Sequence, residues 1–340
     1  MELSKSDTAG IKGIAILFML WHHLFLHSTE YGTLTQSLAI VFKVCVAMFL
    51  FVSGYGLTKQ YGSLEKRNVR TTIQFLLRRF INFFLPFWFC FILVTVVGNL
   101  CGYSFHDAYP TTRNMFKCVA LDFFGQMGYD SYLKPWWFNK MIIQLYLVFP
   151  LLYILMCNRF SAFLGLTAIV FFQLKAQSIP GNVFFIVEGG VPAFYLGMLA
   201  SRFQAIPTMG KKASRLFLGT VSVLLGVLLS VLLLKYLKNP YPAVLARAIL
   251  AVCLVVALKS CGNSNTRLLC FLGKYASIMY FTHVLLIILL PEFVYFPNFS
   301  ILVFLLFTVA CLAVAMTIDW LERVLRYDKL RQKLVSAVNH

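Results

Sequence analysis

Long apolar runs dominate the chain, and short polar segments separate them. A helix rises about 1.5 Å per residue, so about 20 apolar residues cross the hydrocarbon layer of a membrane. Runs of this length indicate helices, because a helix satisfies all of its backbone polar groups within one segment. We predict about ten membrane-spanning helices, at residues 10–27, 35–57, 80–100, 136–156, 161–176, 182–200, 216–234, 243–259, 271–290 and 299–318.

Composition supports this interpretation. Of the 340 residues, 60% are hydrophobic and only 12% are charged, and the mean hydropathy is +0.80. One water-soluble core cannot bury that much apolar surface, so the surplus must face lipid. The predicted fold is therefore an all-α, polytopic transmembrane helical bundle. No hydrophilic stretch is long enough for a separate soluble domain, so we expect residues 1–340 to form a single integral membrane domain.

Basic residues are concentrated in alternate segments between the predicted spans. The richest are the segments 59–79 and 202–215 and the stretch after Trp320. The positive-inside rule then predicts that both termini lie in the cytoplasm of a multi-pass cell-membrane protein. The net charge of +18 is spread over loop ends, without a nucleic-acid-binding motif. We therefore expect contact with a lipid bilayer and none with nucleic acid.

Histidines at membrane depth are the first candidates for chemistry. Eleven helical steps of about 100° bring His23 back to within roughly 20° of the direction of Lys12, so the two share one face. His22 points about 80° away by the same periodicity, which favours packing or a supporting hydrogen bond. His283 in the ninth span lies about 18 Å from the inner end, and His23 lies about 16 Å beyond Lys12, so their depths match.

Four charged residues fall in the outer halves of their spans: Lys43, Lys140, Glu188 and Arg247. Charged groups are costly in lipid, so they predict a polar pocket that opens outward, with Glu188 neutralising one cation. The alternative for Lys140 and Arg247 is that the long side chains reach the outer interface on their own.

Two features mark the predicted inner side. Gly54 and Gly56 permit a close approach of the backbone at the end of the second span. Arg78 and Arg79 precede the third span, and paired guanidinium groups suit the phosphates of a nucleotide-like ligand. The alternative is that these arginines only set the topology. The sequence contains no G-x-S-x-G elbow, H-E-x-x-H metal site or Walker A loop, and we predict no metal.

Six segments together carry a family resemblance. They are Lys12 to His23, Phe51-Val52-Ser53-Gly54-Tyr55, Arg78-Arg79 with Pro86-Phe87-Trp88, Trp136-Trp137-Phe138 with Tyr146-Leu147-Val148-Phe149-Pro150, Phe194-Tyr195-Leu196-Gly197-Met198, and Gly273-Lys274 to His283. In this order, and over nearly the whole chain, they resemble the acyltransferase 3 family of membrane-bound O-acyltransferases.

The resemblance implies an enzyme that moves an acyl group, usually acetyl, from cytoplasmic acyl-CoA to a hydroxyl of a cell-surface polysaccharide or other glycan. It implies acetyl-CoA as donor substrate, no permanently bound cofactor, and a location in the bacterial plasma membrane. The first-span histidine of the family matches His23. Lys12 stands where the family usually has arginine, and Ile142 or Ile143 stands where the family has an acidic residue.

The sequence thus predicts His23 as the base that accepts the hydroxyl proton, with Lys12 on the same helix face as a further catalytic residue and His283 as an orienting residue. The predicted substrate-binding residues are Ser53, Tyr55, Arg78, Arg79, Lys43, Lys140, Glu188, Arg247 and Tyr280. The alternative function is a multi-pass transporter or exporter of a glycan-related or small polar substrate, because intramembrane charges also suit carriers.

Overall fold

The structure is a computed structural model, and it describes residues 2–109, 114–175, 190–204, 212–235, 240–260, 262, 266–296 and 298–338. Within these ranges every regular element is helical, which confirms the predicted all-α class. The α-helices are α1 Lys5–Phe25, α2 Gly32–Phe42, α3 Val44–Gly62, α4 Val69–Leu100, α5 Phe105–Ala108, α6 Met115–Phe123, α7 Trp137–Ile154, α8 Arg159–Lys175, α9 Val191–Arg202, α10 Lys212–Lys235, α11 Pro240–Ser260, α12 Arg267–Leu289, α13 Pro291–Val294, α14 Ser300–Val324 and α15 Tyr327–Ala337. Two short 3₁₀ turns are Gly128–Asp130 and Lys134–Trp136.

Eight helical stretches in the described residues are long and apolar enough to cross a membrane. They are Lys5–Phe25, Gly32–Gly62, Val69–Leu100, Lys134–Ile154, Leu216–Lys235, Pro242–Ser260, Arg267–Leu289 and Ser300–Val324. Each contains most or all of one predicted span. The chain is therefore a multi-pass membrane protein.

The two remaining predicted spans have different outcomes. The fifth corresponds to α8, whose 17 residues cover about 26 Å, somewhat less than the hydrocarbon layer. The sixth span, 182–200, lies partly outside the described residues, and its described part belongs to α9. The total of ten spans stays a prediction.

The second span is interrupted, although the apolar run predicts one continuous helix over 35–57. The structure divides it into α2 and α3 at Lys43, whose backbone has φ −54° and ψ −14°. Here the Val46 N–H donates to the Lys43 carbonyl at 3.3 Å, three residues back instead of four. This is 3₁₀ geometry, which in the middle of a helix often marks a functional position.

The third span begins 11 residues earlier than predicted, because Asn68 caps the helix. The Asn68 side chain accepts a hydrogen bond from the Thr71 N–H at 2.9 Å, and the Thr71 side chain accepts from the Asn68 N–H. This reciprocal capping satisfies two amide groups that the first helical turn would leave without partners. The resulting helix α4 has 32 residues.

The chain forms two compact units. The first contains Met1–Glu65 and Val148–Lys274, and the second contains Lys66–Leu147 and Tyr275–His340. Helix α12 contributes its first residues to the first unit and the rest to the second. The single domain expected over residues 1–340 stays a prediction.

In the first unit, α3 and α9 cross with their backbones in close contact. A Cβ atom on Gly54 of α3 would overlap the carbonyl oxygen of Phe194, and a Cβ atom on Gly197 of α9 would overlap that of Phe51. Each helix therefore needs glycine at its crossing point, since small residues let helix backbones approach in membrane proteins. Gly56, also expected to permit close approach, has nothing within 4 Å of the position of a Cβ atom.

Polar contacts hold the N-terminal segment in the same unit. The Asp7 carboxylate is 1% exposed and lies 2.5 Å from the Lys259 ammonium group of α11. The Leu3 N–H donates to the Tyr55 hydroxyl at 2.8 Å. These contacts connect the start of α1 to α11 and α3.

In the second unit, the residues before α7 are hydrogen-bonded to α12. The Trp136 indole N–H donates to the Phe281 carbonyl at 3.1 Å, and the Tyr280 hydroxyl donates to the Pro135 carbonyl at 2.7 Å. Trp136 is 1% exposed, so both its ring and its polar group are satisfied inside the protein. The two bonds fix the turn of α12 that precedes His283.

Candidate active-site residues

Helix α1 carries three of the residues that the sequence singles out. Lys12 is exposed, His22 is buried and His23 is half-buried. His22 Nδ1 lies 2.7 Å from the Ala39 carbonyl oxygen of α2. A carbonyl only accepts, so Nδ1 carries the proton and Nε2 is the acceptor nitrogen of the neutral ring. The rings of His22 and His23 are 5.1 Å apart.

Two predicted outer cations lie in the same unit as His22. Lys43 lies at the interruption between α2 and α3, and Arg247 lies in α11. Both interact electrostatically with the His22 ring. The Arg247 Nε atom is buried and has no hydrogen-bond partner among the described residues. Glu188, the predicted neutralising acid, lies outside the described residues.

Ser53 and Tyr55 lie on α3, which crosses α9. Ser53 is half-buried, and Tyr55 is 2% exposed with its hydroxyl accepting the Leu3 N–H. This bond gives Tyr55 a structural role in holding the N-terminal segment. Contact of either residue with a substrate stays a prediction.

In the second unit, His283 is 0% exposed. Its Nδ1 lies 2.9 Å from the Tyr280 carbonyl and 3.2 Å from the Met279 carbonyl. Nδ1 therefore carries the proton, and Nε2 is the nitrogen that can accept one. Backbone carbonyls thus hold this ring in the tautomer whose acceptor nitrogen is Nε2.

Asn139 is a neighbouring residue that the sequence analysis missed. Its Oδ1 lies 3.4 Å from the Tyr280 hydroxyl, and its side chain is 0% exposed. The Nδ2 group has no hydrogen-bond partner in the described part of the chain. The available signal was a polar residue in an apolar helix, next to the charged residue Lys140.

The predicted phosphate-binding arginines lie on α4. The Arg79 guanidinium lies over the Tyr146 ring, 5.8 Å from its centroid, which is a cation–π contact. The Arg78 Nε–H donates to the Gln74 carbonyl of its own helix at 3.2 Å. Both side chains are half-buried, as is that of Lys140 on α7.

The described site residues divide between the two units. Those of the first unit are Lys12, His23, Lys43, Ser53, Tyr55 and Arg247, and those of the second are Arg78, Arg79, Lys140, Tyr280 and His283. The catalytic and substrate-binding roles assigned to them stay predictions.

A buried carboxyl group, which the sequence analysis also missed, organises the segment between α4 and α7 in the second unit. Asp122 is 0% exposed, and its Oδ2 accepts from the Tyr109 hydroxyl at 2.8 Å and from the Tyr132 N–H at 2.5 Å. Its Oδ1 has no hydrogen-bond partner in the described ranges. Burial raises the pKa of Asp122 to about 6 from an ordinary 3.8, although both hydrogen bonds oppose the rise.

This pKa predicts that acid stabilises the segment between α4 and α7. The folded state binds the proton more tightly than the unfolded state, so stability is highest below pH ~4 and falls by about 3 kcal/mol as the pH rises to about 6. Asp122→Asn keeps an acceptor for both donors without the charge, so it should raise thermal stability at pH 7.5 and have little effect at pH 4.5. Melting curves at both values measure this.

Asp107 is the control, because hydrogen bonds from Ser104 lower the pKa of this exposed carboxyl. Asp107→Asn should therefore remove stability above the ordinary pKa, which is the opposite sign. If the stability of the Asp122→Asn variant depends on pH as that of the wild type does, the dependence does not come from Asp122.

The model of one known family covers most of the chain. The family model described as an acyltransferase domain, that of the acyltransferase 3 family, matches residues 9–320. The match covers most of the chain, so the chain belongs to this family, as the sequence resemblance predicts. It is a multi-pass membrane acyltransferase. No curated protein and no solved structure matches the chain.

Proposed function

We propose that the protein is an O-acyltransferase of the bacterial plasma membrane. It moves an acetyl group from acetyl-CoA to a hydroxyl of a cell-surface polysaccharide or other glycan. The observation that carries the proposal is the acyltransferase domain over residues 9–320. Membership in this family favours group transfer over the transport alternative.

The proposed chemistry needs one base and no covalent enzyme intermediate. An imidazole Nε2 accepts the proton of the acceptor hydroxyl, the oxygen attacks the thioester carbonyl, and the carbon–sulfur bond breaks. The leaving thiolate then takes the proton from the imidazolium, which restores the neutral ring. We assign the base to His23, with Lys12 on the same helix face, and an orienting role to His283. The Nδ1 bonds of His283 support that role, because they fix the ring's direction.

We assign binding of the acyl-CoA donor to Arg78 and Arg79. Acyl-CoA carries phosphate groups, and planar guanidinium groups bind phosphate through paired hydrogen bonds. The Tyr146 ring supports this role for Arg79, because a stacked guanidinium keeps its N–H edge available for a ligand. Ser53, Tyr55 and Lys140 are proposed to border the path of the substrates, and Tyr280 is proposed to lie beside the acceptor.

Labelled acetyl-CoA tests the function. Purified protein in lipid nanodiscs should transfer labelled acetyl to the de-O-acetylated surface glycan of its host. Mild alkali should release the label, because esters hydrolyse under those conditions and amides do not. Label that resists alkali would contradict O-acylation. Glycan uptake into proteoliposomes without acyl-CoA, with no transfer, would establish transport instead.

A further inference from the structure

Arg247 lies at membrane depth in the first unit, and no acidic residue pairs with it in the part of the chain that the structure describes. Ion pairs among the described residues join Lys59 to Glu2, Lys259 to Asp7 and Arg323 to Asp319. Arg247, in the first half of α11, belongs to none of them, and its buried Nε has no hydrogen-bond partner among the described residues. A buried charge is strongly destabilising unless an anion compensates it.

The interruption of the second span adds positive charge to the same neighbourhood. Lys43 occupies the break, and α3 begins immediately after it. The first amide groups of a helix carry a partial positive charge and bind anions. In membrane proteins, interrupted helices use such ends to bind charged groups of substrates.

Helix packing places these groups in one part of the first unit. Arg247 and Lys43 both interact with the His22 ring and with Cys45 in the first turn of α3. Helix α11 packs against α3 and α1. The His22 ring is held by the Ala39 carbonyl through Nδ1. Its Nε2 can therefore accept a hydrogen bond from a hydroxyl group close to the two cations.

We propose that Arg247, Lys43 and the N-terminus of α3 bind an acidic group of the acceptor glycan, the carboxylate of a uronic acid or a sugar phosphate. The inference rests on the proposed function and adds the chemical class of the acceptor to it. The guanidinium fork matches the planar carboxylate and the phosphate group. Lys43 and Arg247 lie in the outer halves of their predicted spans, which is the side of the acceptor and not of CoA.

The first test measures stability without ligand. A residue kept for ligand binding destabilises the empty protein, so Arg247→Met should raise the melting temperature by roughly 3 °C or more, as expected when a half-buried charge without a described anion becomes apolar. Lys259→Met on the same helix is the matched control. It leaves the buried Asp7 carboxylate without its cation, so it should lower the melting temperature.

The second test measures binding to purified protein without acetyl-CoA, so its result does not depend on transfer. Glucuronic acid or glucose 1-phosphate should raise the melting temperature of the wild type, and glucose should not. Arg247→Met should weaken the apparent affinity for the acidic sugar by about tenfold or more, the scale of one charge-assisted hydrogen bond. Lys43→Gln should weaken it as well.

Three results would overturn the proposal. One is the absence of an Arg247-dependent shift with either acidic sugar, whatever the stability of the variants. Another is an equal shift with glucose. The third is an Arg247-dependent shift with CoA alone, which would make this a site for the donor's phosphates. Loss of acetyl transfer in every assay, together with Arg247-dependent binding of acidic sugars, would reject only the proposed function.

Discussion

Replacing His23 by Gln should reduce acetyl transfer by about 10²–10⁴-fold, the usual contribution of a general base, while the protein stays folded. The fold should survive because one lost polar contact in a membrane bundle averages only about 0.6 kcal/mol. His283→Gln should lower the rate less, since an orienting residue does not accept the proton. His22→Gln should retain more activity than His23→Gln, because His22 points about 80° away from the face shared by Lys12 and His23.

The measurement is the transfer rate of each purified variant between pH 5.5 and 8.5. His27→Gln is the control, because His27 is exposed just beyond the end of α1. The wild-type rate should rise with pH as one imidazole loses its proton. The residual rate of the variant that lacks the base should not show this rise. If the rise with pH disappears in His283→Gln and remains in His23→Gln, the base is His283. Its Nδ1 bonds already make Nε2 the acceptor nitrogen.

Gly54→Ala should prevent α3 and α9 from packing and abolish the folded protein. The added methyl group would occupy the position of the Phe194 carbonyl oxygen. Backbone atoms cannot move aside as a flexible side chain can, so we expect a cost at or above the upper end of the 1–3 kcal/mol typical of overpacking. Gly197→Ala should behave alike, because its methyl group would meet the Phe51 carbonyl.

Gly56→Ala on the same helix is the matched control, since nothing lies within 4 Å of the added Cβ atom. It should match the wild type in the yield of monodisperse protein and in melting temperature. The comparison separates close packing from helix propensity, because both variants replace a glycine by alanine in α3. A Gly54→Ala protein as stable as the Gly56→Ala protein would refute the close crossing.

The two predictions differ in what the variants should lose, folded protein or activity. The crossing of α3 and α9 fixes the helix that carries Ser53 and Tyr55, and the contacts of α1 fix the direction of His22. A variant that disturbs the crossing should therefore lose folded protein and activity together. A histidine variant should lose activity alone. Measuring yield and rate for every variant distinguishes the two cases.

The sequence by itself determined the helical class, the position of most spans and the family. These properties depend on the length and hydropathy of continuous segments, which the membrane selects without reference to other parts of the chain. The histidines and the cations at membrane depth were also visible, because a polar residue in an apolar run stands out. Helix ends were harder to predict from the sequence, and α4 begins at the Asn68 cap instead of at residue 80.

Only the tertiary structure decided which polar groups have partners. The interruption at Lys43 lies in a stretch that has no proline or glycine between Gly32 and Gly54, so nothing local predicts it. His22 is held by a carbonyl of another helix, and Asp122 is buried by Tyr109 and Tyr132. Arg247 has no described anion although Lys259 on the same helix has Asp7. Such outcomes depend on residues distant in sequence, because burial and hydrogen bonding are set where helices meet and not by the periodicity of one segment.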